Sequence, residues 1–145
     1  MKICYSNETS NPISGRADIR LWGTQFELCE IYKQIRKLID VTELNEVQFD
    51  AKNSPSELKD YVPLTSLVIK KGNTPICVSV EDKAMVITSS PRWLDVLSSY
   101  FDFRETSKPG YHVNLDVHWR HESVHPDCID TIIGIHSHNN SQGQG

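Results

Sequence analysis

The sequence predicts an α+β domain: a mostly antiparallel sheet of about six to seven strands with two helices packed on one face. Three observations carry this expectation. Several short segments alternate apolar and polar residues, the period of a strand wet on one side. Two segments instead repeat apolar residues at three- and four-residue spacing, the period of a helix stripe. Turn signals rather than long linkers separate these segments, which favours hairpin-connected strands and one domain.

Residues 1–12 read as a polar N-terminal segment outside the domain, which spans 13–136; residues 137–145 form a Ser/Asn/Gln/Gly-rich flexible tail. Ile13, Gly15, Ala17, Ile19 and Leu21 alternate with Ser14, Arg16, Asp18, Arg20 and Trp22, a first strand ended by Gly23. Thr24 and Glu27 have the spacing of a capping box. Leu28, Ile31, Tyr32, Ile35, Leu38 and Ile39 then form the stripe of a helix of about four turns. Val47, Phe49 and Ala51 mark a second one-sided strand, and Lys52 to Pro63 reads as a loop. Three short strands follow around Leu67–Ile69, Ile76–Val80 and Met85–Thr88, with Glu81-Asp82-Lys83 as the turn between the last two. Ser90-Pro91 opens a second helix carrying Trp93, Leu94, Val96, Leu97, Tyr100 and Phe101. Tyr111, Val113, Leu115, Val117 and Trp119 alternate with His112, Asn114, Asp116, His118 and Arg120, and Ile129 to Ile135 reads as the last strand. The outward residues of these strands predict one solvated sheet face holding Arg16, Asp18, Glu46, Gln48, Asp50, His112, Asn114, Asp116 and His118.

Composition excludes several classes. A 145-residue chain with 38% hydrophobic residues buries an adequate core without metals or disulfides. Its formal charge of −4 repels phosphates, so no nucleic-acid partner is expected. No segment has the apolar core of a signal peptide or the roughly 20 apolar residues of a membrane span, which predicts a cytoplasmic protein without a membrane partner. Cys4, Cys29, Cys77 and Cys128 stand apart, with no CxxC pair, and read as free thiols of a reducing compartment.

All six histidines lie between His112 and His138. On one strand, consecutive same-face positions stand about 6.6 Å apart, so adjacent members could share an ion. His112 and His118, about 20 Å apart on such a strand, could not. No GxSxG elbow and no glycine-rich phosphate loop is present, so no catalytic residue, metal ligand or cofactor is assigned. Tryptophan and arginine are the commonest binding anchors, which singles out Trp22 with Arg20. The candidate partner-binding set is Arg20, Trp22, His112, Asn114, Asp116, His118, Arg120 and His121.

Gly110-Tyr111-His112-Val113-Asn114-Leu115-Asp116, followed by His125-Pro126-Asp127-Cys128-Ile129-Asp130-Thr131-Ile132-Ile133, resembles the C-terminal motif of predicted immunity proteins of bacterial polymorphic toxin systems, the immunity-protein family numbered thirty-two. The order of elements fits over residues 13–135, while motif-like similarity is confined to residues 110–135. The resemblance implies a non-enzymatic α+β protein of the cytosol that protects its producer by binding a cognate toxin, and it carries over no residue role. The segment from Arg120 to Ser123 departs from the family pattern in being polar. Two other readings compete with a protein-binding module: a small metal-dependent hydrolase built on the His/Asp strand at 112–118, and a structural subunit that oligomerises through an edge strand.

Overall fold

The architecture was obtained as a computed structural model that describes residues 1–7, 16–55, 58–116 and 122–136. Helix α1 (Gln25–Asp40) forms where local signals agree. Thr24 Oγ1 accepts from the Glu27 amide at 3.1 Å, and Glu27 Oε1 accepts from the Thr24 amide at 2.9 Å, completing the capping box. Its stripe buries Leu28, Ile31, Ile35 and Leu38, with Tyr32 and Ile39 at the flanks. Each fully buried aliphatic side chain of this kind contributes about 1.5–3 kcal/mol.

The strands are β1 (Lys2–Ser6), β2 (Asp18–Gly23), β3 (Glu46–Asp50), β4 (Val62–Leu64), β5 (Ser66–Lys71), β6 (Cys77–Glu81), β7 (Ala84–Ser89), β8 (His112–Leu115) and β9 (Asp130–Ile135). With α1 and the short α2 (Leu94–Ser99) they make an α+β fold. The strands build two mixed sheets rather than one, ordered β4-β1-β2-β9-β8 and β3-β5-β7-β6. Pairing is antiparallel except for β2 with β9 and β5 with β7. Both sheets and both helices feed one core, including Ile19, Leu21, Leu67, Ile69, Met85, Leu97 and Ile133.

Two corners join the sheets. Thr65 alone separates β4 from β5; its amide donates to Lys83 O at 2.7 Å and its carbonyl accepts from Ala51 at 2.9 Å. At the other corner the edge of β6 is stitched to the segment before β9. Ile76 N–H donates to Ser123 O (2.7 Å), His125 N–H to Ile76 O (2.8 Å) and Ile129 N–H to Val78 O (3.0 Å).

Several expectations are corrected here. Of the N-terminal segment 1–12, Lys2–Ser6 belongs to the domain as an interior strand between β4 and β2, with Ile3 buried, while residues 8–12 lie outside the described residues. Five residues followed by polar ones carry too short a pattern to be noticed, and neighbours distant in sequence make them a strand. Val62 and Pro63, read as the end of a loop, join Leu64 in β4 by pairing with β1. Of the first strand the described part is Asp18–Gly23, while Ile13 to Gly15 lie outside the described residues. The second helix is shorter than its apolar pattern suggests. A 3-10 turn at Pro91–Trp93 leads into α2, after which Tyr100 and Phe101 amides bond three residues back, to Leu97 and Ser98, and tighten the chain out of the helix. Phe101 and Phe103 are buried from that non-helical turn. Among the described residues no helix is long and apolar enough to cross a membrane.

Candidate functional site

The expected single wet face is split by the two-sheet architecture. Glu46, Gln48 and Asp50 lie on β3, the edge of the four-stranded sheet, away from the outer face of the five-stranded one. That outer face gathers four of the candidate residues. Ile19 and Leu21 point into the core, so period two turns Asp18, Arg20 and Trp22 outward. Because β9 lies between β2 and β8, the register sets Trp22, Gly134 and His112 in one row and Arg20, Ile132 and Asn114 in the next.

Gly134 makes the first row possible. A Cβ there would stand 2.5 Å from the Trp22 ring, 2.7 Å from His112 Cβ and 2.8 Å from the Tyr111 carbonyl oxygen. With no side chain in the way, Trp22 and His112 meet across the strand edge to face, with ring centroids 6.2 Å apart. His112 Nδ1 is 3.1 Å from Gly110 O, and since a carbonyl only accepts, the neutral ring carries its proton on Nδ1.

The second row gains a residue that the sequence reading left in a loop. Tyr61, just before β4, places its ring under the Arg20 guanidinium at 5.4 Å. Asp18 Oδ2 lies 3.9 Å from Arg20 Nη2. Burial and a hydrogen bond to the Asp18 carboxylate push the Tyr61 hydroxyl up to about 12, against a smaller opposing influence of Arg20. Among the described residues, Asp18 Oδ1 and Arg20 Nε are buried without a hydrogen-bond partner. No local signal reveals Tyr61, because its role comes from pairing of β4 with β1.

Asn114 ends the second row, exposed on β8. The remaining candidates do not join this cluster. Asp116 follows β8 half-buried. His118, Arg120 and His121, with Trp119, lie outside the described residues. His136 does not face His112 across the ladder, since Gly134 occupies that register. It sits half-buried, and burial lowers its pKa, aided by the nearby amino terminus and opposed by Glu27. His125 is in the loop before β9, where its Nδ1 accepts from the Asp127 amide at 2.9 Å. Among the described residues no three His, Cys, Asp or Glu side chains stand together in a way that could hold a metal ion.

Cys128 is buried, and burial raises its thiol to about 12; Val78 N–H donates to its Sγ at 3.2 Å. Such a thiol is a packing group rather than a nucleophile. The site thus offers an aromatic pair and a stacked arginine on one sheet face. Compared with known proteins, the chain matches no family model, no curated protein and no solved structure.

Proposed function

We propose that this chain is a cytosolic protein-binding module, an immunity protein that binds and neutralises a cognate toxin domain without catalysis of its own. The observation that carries the reading is the convergence of Arg20, Trp22, Tyr61 and His112 on the outer face of the five-stranded sheet. Tryptophan, tyrosine and arginine supply most of the energy at protein interfaces, where each such anchor contributes about 2 kcal/mol or more. The resemblance of residues 110–135 to the immunity-protein family supports the same reading and supplies the toxin as partner.

The test is co-expression with the product of the adjacent gene. The reading expects the two proteins to co-purify and the chain to rescue cells from that product. Trp22→Ala and Arg20→Ala should each weaken the complex by about thirtyfold or more while circular dichroism stays unchanged. Rescue that survives both substitutions at full strength would remove this face from the interface, and absence of rescue and of any complex would remove the immunity reading itself.

A further inference from the structure

The second surface lies on the other sheet and stands independently of the immunity reading. Among the described residues, the outer ladder edge of β3 is open. Asn45 O accepts from Lys71 N–H and Ala51 N–H donates to Thr65 O, each at 2.9 Å. Antiparallel ladders alternate, so Val47 and Phe49 bond to β5 while the amides and carbonyls of Glu46, Gln48 and Asp50 point away from it. The edge closes at its far end, where Lys52 N–H donates to Met1 O at 2.9 Å. Between these limits β3 has no proline and no lysine, the residues that commonly protect an edge.

Beside this edge, Met1, Phe26, Ile31 and Phe49 wall a cleft of about 220 Å³ rimmed by Glu30 and Asp50. Phe26 is 73% exposed, the most exposed large apolar side chain among the described residues. Val47 and Phe49 turn toward the core side, where this cleft lies; Glu46, Gln48 and Asp50 alternate with them and are exposed, Asp50 also bordering the cleft. Asp40, Glu43, Glu46 and Asp50 are all exposed, and residues 40–51 contain no lysine or arginine. Among the described residues, the cations that face this region are Lys70, Lys33, Lys71, Lys52 and the Met1 amino terminus. Lys70 stands opposite Glu46 on β5, Lys33 is 3.8 Å from Glu30, and Lys71 Nζ donates to Val41 O and Thr42 O. Lys52 lies at the closed end, and Glu27 neutralises the amino terminus at 2.6 Å in the cleft wall.

Charge selects the occupant. A second copy pairing antiparallel about Gln48 would set Glu46 against Asp50 at both ends, and like charges directly opposite are destabilising. A basic strand reverses the sign at the same two positions. We propose that the open edge of β3 takes up an extended basic segment of a partner protein as an added strand, with lysine or arginine opposite Glu46 and Asp50 and apolar side chains reaching the cleft beside Phe26.

The test titrates the isotope-labelled full chain with a capped peptide whose core is Lys-Val-Thr-Val-Lys, and with its Glu-Val-Thr-Val-Glu counterpart. Saturable shift changes and slowed amide exchange centred on Glu46, Gln48 and Asp50 are expected, with the acidic peptide about tenfold weaker or worse. Gln48→Pro removes one outward donor without touching the ladder to β5 and should abolish binding. Should that variant fail to fold, Glu46→Lys with Asp50→Lys gives the decision, since it should reverse the preference between the peptides. Equal binding of both peptides, absence of binding, shift changes confined to Arg20 and Trp22, or dimerisation of the free chain through β3 would each overturn the proposal. None of these outcomes bears on toxin rescue.

Discussion

Gly134→Ala puts the geometry of the sheet face to a quantitative test. Carbon atoms in ordinary contact stand about 3.5–4.0 Å apart, whereas the added Cβ would lie 2.5 Å from the Trp22 ring and 2.7 Å from His112 Cβ. The ring edge can swing away, but His112 Cβ is fixed directly to the β8 main chain and the Tyr111 carbonyl, 2.8 Å distant, is main chain at its entry. Relief therefore requires β8 to shift against β9. Overpacking of this kind costs about 1–3 kcal/mol, and the lower entropy of the unfolded alanine chain returns about 0.4–1. The midpoints leave a net loss of about 1.3 kcal/mol, or a fall in Tm of about 4 °C at this chain length. Urea unfolding followed by far-ultraviolet circular dichroism measures the loss, and tryptophan fluorescence reports the displacement of Trp22. Gly110→Ala is the control: it meets open space, its φ of +85° strains the backbone locally, and it should leave the Trp22 signal unchanged. Stability within about 0.5 kcal/mol of wild type together with an unaltered Trp22 environment would refute the packing argument.

Three further outcomes are expected. Thr24→Ala removes half of the capping box of α1 and should cost about 1 kcal/mol, read from urea midpoints, whereas Thr24→Ser should cost little. His136 has its pKa lowered below 6.5 by burial, so the unfolded chain binds more protons as pH falls below that value. Its contribution is complete above about pH 6.5 and declines as pH drops toward the folded value; Tm measured against pH should therefore flatten in His136→Gln, and an unchanged slope would assign the effect elsewhere. Cys128 should be the slowest of the four thiols to react with an alkylating reagent at pH 8, followed by mass spectrometry, because its burial raises the thiol to about 12. Labelling of Cys128 ahead of half-buried Cys4 and Cys29 would contradict its placement.

Helix α1 was legible almost residue for residue, since the capping box and the apolar stripe are contained within the segment itself. The faces of β2 and β8 were legible for the same reason, with Ile19 and Leu21 inward and Arg20 and Trp22 outward. Strand β1 was not, because Ile3 and Tyr5 make too brief an alternation to distinguish from an apolar start to a tail. The short β4 depended entirely on β1 as its partner. Parallel pairing of β5 with β7 escaped notice as well: Met85, Val86 and Ile87 form the apolar run typical of an interior parallel strand, and period two alone does not separate that from a hairpin.

By itself, then, the sequence determined the α+β class, the principal helix and which side of each long strand meets the core. These follow from side-chain periods of 3.6 and 2, which are properties of neighbouring residues. The tertiary structure alone decided which strands lie side by side. It inserted β9 between β2 and β8, so that Gly134 let Trp22 reach His112, and it carried Tyr61 under Arg20 through β4 and β1. It also separated Glu46, Gln48 and Asp50 from that face and left them on an open edge. Strand order is set by packing between residues far apart in the chain, and a side-chain period, being local, holds no record of which strand will lie alongside.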